Sequence, residues 1–391
     1  MNDCIVLIGK KGLFDNAAAA VQRRFEGTLT DVVFVDESEL GLGSGIKGYI
    51  LASRYCPSLS GAFLKKFYKR YKVKEQKPQK FKQGKLPRVV PPSERCENVL
   101  YRFAPKAVVC FTSRALALTL SAAGTTGYKG CVISGALDFA PACGMSVKGA
   151  DVYLAATDES GEILARRGIE RGRIKVTGMP VTPSGAARDK ALKQLGISGE
   201  KPVAFIAGGR YCSRRAMRAA QAFSAYSDVL TPLLSGGERG ADFVEKHCPN
   251  VIVAAEESMD VLYAAADIAV IAPTAFIAAE CAANGLPVVL LPPVNKAQKG
   301  VYKALKKIYP AAKSEEEAVK LAMELIMDKS AQERCRAAAR ELLPAGGEER
   351  LMGALKEVLE RYKDIEVFPA SASEEGADND GSHTDPQEDG E

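Results

Sequence analysis

Short apolar runs, many of them β-branched, alternate with stretches of helical periodicity along most of the 391-residue chain. Cys4–Ile8 reads as a buried strand, Gly9-Lys10-Lys11-Gly12 as a phosphate-loop-like turn, and Asp15 to Phe25 as a helix. Further strands are expected at Asp31–Val35, Ala107–Phe111, Gly130–Ile133 and Val152–Ala155, with a helix over Arg114–Ala123 between them. The pattern restarts at Pro202–Ala207. Gly208-Gly209 and a helix over Arg214–Ala225 follow, then strands near Val229–Leu233, Asn250–Val253, Ile268–Ile271 and Pro287–Leu291. Strands that alternate with helices predict parallel, doubly wound sheets, here two of them. Two amphipathic helical stretches, Glu315–Met327 and Ala331–Tyr362, close the folded part.

Gly178-Met179-Pro180-Val181-Thr182-Pro183 carries two prolines after a strand and marks the boundary between the units. The expected organisation is a first domain over 1–181, a second over 182–368, and a tail over 369–391. Residues 371–391 are nearly devoid of apolar side chains and are expected to be disordered.

Composition changes this picture little: 47% of residues are apolar and 26% charged, as in ordinary globular proteins. No apolar run is long enough to span a bilayer, and the start lacks the features of a signal peptide, so a cytoplasmic location is expected. The ten cysteines fall at irregular spacings without a CxxC pair and are expected to be buried, reduced thiols rather than zinc ligands.

Charge adds more. The net charge is +5, yet the tail from 371 to 391 holds eight acids and no Lys or Arg, which leaves +13 on residues 1–370 (5 + 8). Lys65 to Arg88 holds eleven Lys or Arg against the single acid Glu75, interleaved with Phe67, Tyr68, Tyr71 and Phe81. Its residue types suit an anionic membrane or a nucleic acid, and a solvated loop is the plain alternative. The helix-compatible apolar pattern of Tyr49–Leu64 just before it favours the membrane, with Lys65, Lys66, Phe67, Tyr68, Lys69, Arg70 and Lys72 at the contact.

The candidate chemistry concentrates in Met259 to Pro293. Asp267–Ile271 makes a strand, Pro273-Thr274 turns it, and a small-residue helix begins near Thr274, whose free N–H groups suit a diphosphate. Glu280 lies about two turns into that helix, where a carboxylate can accept ribose hydroxyls. Gly285 is placed to end the helix.

These residues resemble the monogalactosyldiacylglycerol synthase and processive diacylglycerol glucosyltransferase family, related to the GlcNAc transferase of peptidoglycan lipid assembly. The resemblance includes Asp36-Glu37-Ser38-Glu39-Leu40, Tyr55-Cys56-Pro57, Phe67-Tyr68-Lys69, Leu137-Asp138-Phe139, Ala150-Asp151-Val152-Tyr153 and Ala264 to Pro293. Ile174-Lys175-Val176-Thr177-Gly178-Met179-Pro180-Val181 is the closest single match. The resemblance implies an α/β fold of GT-B type, two Rossmann-like domains facing across a cleft with closing C-terminal helices. It implies an inverting transferase that moves a hexose from a UDP-sugar to diacylglycerol or a related lipid. No essential metal or resident cofactor is implied, and the protein would sit peripherally on the inner face of the cell membrane. By position, Glu280 would hold the ribose, Met259 would lie against the uracil, Gly208, Gly209 and Thr274 would line the diphosphate, and Gln298 would lie near the donor sugar.

Two departures stand out. The family's Gly-Gly-Gly-His loop is here Lys11-Gly12-Leu13-Phe14, and a phenylalanine cannot move a proton. The family's Pro-Gly-Gly at the donor helix is Pro273-Thr274-Ala275, which adds side chains where phosphate approaches backbone. Asp138 is then the leading candidate base, provided burial raises its pKa, with Asp15 second.

On residues alone, Glu280 reads as a ligand rather than a solvated helix acid. Gly208-Gly209 could be a plain turn, Asp138 a loop acid, Met259 core and Gln298 surface. Three readings stay in view: the transferase, a catalytically impaired GT-B protein that binds sugar nucleotide or lipid, and an enzyme like UDP-GlcNAc 2-epimerase. The last leaves the basic aromatic segment unexplained.

Overall fold

A computed structural model describes residues 3–11, 14–40, 94–208, 213–235, 240–254, 259–343 and 346–368. The basic aromatic segment from Lys65 to Arg88, the apolar stretch before it and the acidic tail lie outside the described residues.

The first sheet holds β1 (Asp3–Gly9), β2 (Thr30–Asp36), β3 (Ala107–Cys110), β4 (Cys131–Ala136), β5 (Val152–Ala155) and β6 (Ile174–Val176). Their order is β2-β1-β3-β4-β5-β6, and every pair is parallel. Helices cover both faces of such a sheet, so its inner strands are apolar on both sides. Ile5, Val6, Leu7 and Ile8 of β1 accordingly have no exposed surface. The chain crosses from β2 to the far side of β1, which makes the gap between β1 and β3 a topological switch point. Helix α1 (Asp15–Phe25) follows β1, and α2 (Glu94–Phe103) and α3 (Ser113–Thr126) flank β3.

After α4 (Asp158–Arg166), β6 and α5 (Arg188–Gln194), the second sheet begins. It comprises β7 (Val203–Ala207), β8 (Thr231–Ser235), β9 (Ile252–Ala254), β10 (Ile268–Ile271) and β11 (Val288–Leu290), in the order β11-β10-β7-β8-β9 and again parallel throughout. Its switch point lies between β7 and β10, where Ala272 N donates to Ala207 O at 2.9 Å. In open α/β sheets ligands bind outside the carboxyl ends of the strands at such points. Helices α6 (Ser213–Ser224), α7 (Ala241–His247), α8 (Met259–Ala265), α9 (Ala275–Ala283), α10 (Lys296–Leu305) and α11 (Glu315–Met327) complete this unit.

The long second stretch expected at the C-terminus is two helices, α12 (Lys329–Leu342) and α13 (Gly347–Tyr362). The apolar period continues across the break. Pro344 nevertheless disfavours helix at the residue before it, and Gly346 takes φ +83°.

Residues 347–368, grouped with the second domain on sequence, pack against the first. Arg24 of α1 pairs with Glu348 at 2.8 Å and Glu349 at 2.5 Å. Lys106 Nζ donates to the carbonyls of Lys363 and Ile365, and Phe368 stacks on Tyr101 with ring centroids 4.8 Å apart. Gly347 lies so close to the linker that a Cβ there would collide with the carbonyl of Met179.

The cysteine expectation needs two corrections. Cys96, Cys110, Cys131, Cys248, Cys281 and Cys335 are buried free thiols, whereas Cys4 is half-buried and Cys143, in a one-turn helix in the loop after β4, is exposed; Cys56 and Cys212 lie outside the described residues. Burial pushes the Cys110 and Cys131 thiols up to about 12, so they stay protonated.

Candidate functional site

At the second switch point β10 is fully buried and ends in Ala272-Pro273, and Thr274 then caps α9 from an extended backbone with φ −123° and ψ 134°. A threonine in that place ordinarily accepts from an N–H of the first turn. Thr274 does not: its Oγ1 is buried and has no hydrogen-bond partner. A buried hydroxyl left so is costly, and it stands where helix N–H groups point out of the sheet. At its other end α9 closes in a Schellman arrangement. Leu286 N donates to Cys281 O and Gly285 N to Ala282 O, with Gly285 at φ +65°.

Glu280 projects from α9 into the interior and is only 9% exposed, so it is not a solvated helix acid. Tyr263 of α8 donates its hydroxyl to Glu280 Oε2 at 2.6 Å. The carbonyl of Glu280 accepts from Asn284 Nδ2, and Asn284 Oδ1 accepts from Ser184 N in the interdomain linker, both at 2.8 Å. Burial, and next the charge of Glu280, raise the Tyr263 phenol well above its ordinary value.

Gly208 follows β7 directly across from Ala272, which puts it at the same switch point as Thr274. Gly209 lies outside the described residues. Met259 opens α8, half-buried and packed on the core of the second unit. Gln298 is buried rather than superficial: its Oε1 accepts from Val294 N at 2.9 Å, which fixes the turn into α10 behind the capping Asn295.

The first switch point is apolar. Phe111 follows β3, and its ring lies over the carboxyl ends of β1 and β4, where glycines leave it room. A Cβ on Gly135 would come within 2.8 Å of that ring, and one on Gly9 within 3.3 Å. Phe14 stacks on Phe111 with centroids 5.1 Å apart and planes at 9°. Phe276 of α9 meets Phe14 at 5.2 Å and 86°. The three rings form a column from the first sheet to the helix that carries Thr274 and Glu280, so Phe14 fills space as well as lacking a transferable proton.

Asp138 lies in the loop after β4. Its carboxyl accepts from Ala140 N at 3.1 Å. Enclosure of the carboxyl pushes its pKa up to about 6, against the pull of the Ala140 and Phe139 amides, although other parts of the residue remain accessible. Ala140 packs on α10, where a Cβ on Gly300 would stand 2.6 Å from its own. Asp138 and Gln298 are each two residues from that contact, which brings their two segments together from opposite units. Asp15 opens α1, but its side chain lies outside the described set.

Sequence reasoning missed Tyr263, Phe111 and Phe276. Tyr263 and Phe276 lie inside the Met259–Pro293 run, yet a helical tyrosine or phenylalanine among alanines and aliphatic residues reads as core. Only the placement of α8 beside α9 reveals that the Tyr263 hydroxyl has a carboxylate partner.

No family model matches the chain. Over 128 residues, 29% of this chain, it is 31% identical to the UDP-N-acetylglucosamine--N-acetylmuramyl-(pentapeptide) pyrophosphoryl-undecaprenol N-acetylglucosamine transferase of a Nocardioides species, and it covers 35% of that protein. The similarity therefore spans about a third of that relative. Among solved structures, the S. aureus MnaA-UDP co-structure is similar with a TM-score of 0.62 at 13% identity, over 92% of this chain and 97% of that one. UDP-GlcNAc 2-epimerase from Neisseria meningitidis bound to UDP-GlcNAc is similar at 0.57 and 12%, over 91% and 100%. Acinetobacter baumannii MurG is similar at 0.53 and 14%, over 90% and 99%. With its two parallel α/β sheets, the chain has the GT-B fold of glycosyltransferases and epimerases. Among the described residues no helix is long and apolar enough to cross a membrane.

Proposed function

We propose that this protein uses a UDP-sugar and transfers its hexose, with inversion, to diacylglycerol or a related membrane lipid. The observation that carries the donor half is the unpartnered, buried hydroxyl of Thr274 at the start of α9. A diphosphate there meets N–H donors, the positive end of the helix dipole and a hydroxyl otherwise left unsatisfied. Glu280, buried on the same helix, supplies the acceptor for ribose hydroxyls. Gly208 and Gly209 line the phosphates, Met259 borders the base and Gln298 orders the loop at the sugar. The relatives' own ligands support this, since MnaA and the N. meningitidis epimerase were solved with UDP and UDP-GlcNAc.

In the transfer the acceptor oxygen forms a bond to the anomeric carbon while the bond from that carbon to the UDP oxygen breaks. Asp138 takes the hydroxyl proton, and a carboxyl raised to about 6 is ionised at neutral pH yet more basic than a free one. Thr274 and the first N–H groups of α9 steady the leaving diphosphate. The basic segment, Lys65, Lys66, Phe67, Tyr68, Lys69, Arg70 and Lys72 among it, would hold the enzyme on anionic lipid at the inner face of the cell membrane. Incubation with labelled UDP-glucose or UDP-galactose and diacylglycerol liposomes tests this reading. A labelled glycolipid is expected; UDP binding without any lipid product would refute the transferase.

The aromatic column favours a second reading. Phe14, Phe111 and Phe276 occupy the space over the first sheet, as suits a GT-B protein that binds sugar nucleotide or lipid without turnover. UDP binding by calorimetry, with no product from any common UDP-sugar, would select this reading.

A further inference from the structure

We propose that Tyr263 is a positioning residue of the nucleotide site, holding the Glu280 carboxylate so that it accepts the ribose hydroxyls and selects ribose over deoxyribose. This rests on the donor-site reading above and gives it a sugar specificity.

The geometry is that of a charge-assisted bond. Tyr263 Oη to Glu280 Oε2 is 2.6 Å, within the short range typical of a hydroxyl donating to a carboxylate. Both side chains are buried. The phenol ring is fixed from behind by Phe205 of β7, edge to face at 5.6 Å and 83°. Tyr263 is thus wedged between the strand that leads to Gly208 and the helix that carries Glu280, and its hydroxyl has little freedom to leave the carboxylate.

The chemistry explains why a tyrosine is needed. A buried carboxylate is costly unless donors meet it, and a donor held in place by packing keeps its oxygens in one orientation. The Tyr263 phenol stays protonated because burial and the nearby negative charge oppose its ionisation. It therefore donates constantly to Glu280. A carboxylate has about four acceptor positions, and the phenol uses one. The orientation it imposes decides where the others point.

Both supporting helices are tied to the linker. Ser184 Oγ donates to Asp260 O at 2.9 Å, Ser184 N to Asn284 Oδ1 at 2.8 Å, and Arg188 Nη1 to Ala265 O at 2.8 Å. The tyrosine and the carboxylate are thus registered against one common segment.

The test is the ratio of affinities for UDP and 2′-deoxy-UDP, measured by calorimetry on the full chain and on Tyr263→Phe, Glu280→Gln and the double variant. The parent is expected to favour UDP by about tenfold. Tyr263→Phe should bring the ratio close to one, and in the Glu280→Gln background it should have no further effect. A ratio unchanged in Tyr263→Phe overturns the role of Tyr263 while leaving the donor site intact. No UDP binding by the parent overturns both. Should Tyr263→Phe fail to fold, Glu280→Gln decides: an undiminished ratio there overturns the proposal.

Discussion

The rings of Phe14 and Phe276 meet edge to face across the interdomain cleft, with centroids 5.2 Å apart. One follows the first strand of the first sheet and the other sits on the helix that begins at Thr274. Each ring also belongs to a packed neighbourhood, so their contact joins the first sheet to α9.

Removing the central ring of that column should cost stability. Phe14 is 8% exposed, and Phe14→Ala is expected to lower the unfolding free energy by about 3 kcal/mol, while Phe14→Leu costs about 1 because it keeps most of the volume. Urea denaturation measures both. Equal, negligible losses would show that the three rings do not form a packed column in solution.

Thr274→Val should separate binding from stability. The substitution keeps the shape and removes a hydroxyl that is buried without a partner. The variant is expected to be more stable by about 1 kcal/mol and to bind UDP about tenfold more weakly. A thermal melt and a UDP titration on the same sample provide the two readings. Weaker binding accompanied by lower stability would mean that the hydroxyl serves the fold instead.

The inner strands of both sheets were legible in the sequence because a parallel strand covered on both faces is a continuous apolar run. Ile268–Ile271 and Val152–Ala155 match their expected bounds. The helix start at Thr274 and its end at Gly285 were legible because caps are local chemistry. The Phe14–Phe111–Phe276 column and the Tyr263–Glu280 bond were not. Each joins residues whose own surroundings spell ordinary core, and only the strand order brings them together. The break between α12 and α13 was obscured for the opposite reason, since apolar periodicity runs through it although Gly346 takes φ +83°.

Asp138 should give the reaction its acid limb. With its carboxyl raised to about 6, transfer is expected to rise with pH through that value and level off above it. The stability effect has a definite sign. A carboxyl raised from 3.8 on folding favours the folded state fully below 3.8, and that contribution is lost as pH rises through about 6. Asp138→Asn retains an oxygen for the Ala140 amide and removes the charge. It should therefore abolish transfer and stabilise the protein by about 2 kcal/mol at pH 7.5, with little change at pH 4. Urea curves at the two pH values check this, and equal differences at both would exclude a raised carboxyl.

Two glycines of α13 should respond in opposite directions to the same substitution. At Gly347 a new methyl would run into the Met179 carbonyl, and the clash is with backbone, which cannot rotate aside. The helix would have to lift from the linker, straining the pairs between Arg24 and Glu348 and between Thr182 and Glu348. Gly347→Ala is expected to cost about 3 kcal/mol. Gly353 stands six residues further along with nothing within 4 Å of a new Cβ, so Gly353→Ala should stabilise the helix by about 0.5–1 kcal/mol. The pair shares chemistry and helix, and only the approach to the linker differs. Thermal unfolding of both variants is the measurement, and a Gly347→Ala protein as stable as the parent would show that α13 does not seat against Met179. The same variant bears on function, because α13 belongs to a segment that has left the second unit to pack on the first. If that return crossing sets the angle between the two sheets, Gly347→Ala should weaken UDP-sugar turnover more than UDP binding, since Thr274 and Glu280 lie wholly within the second unit while Asp138 lies across the cleft.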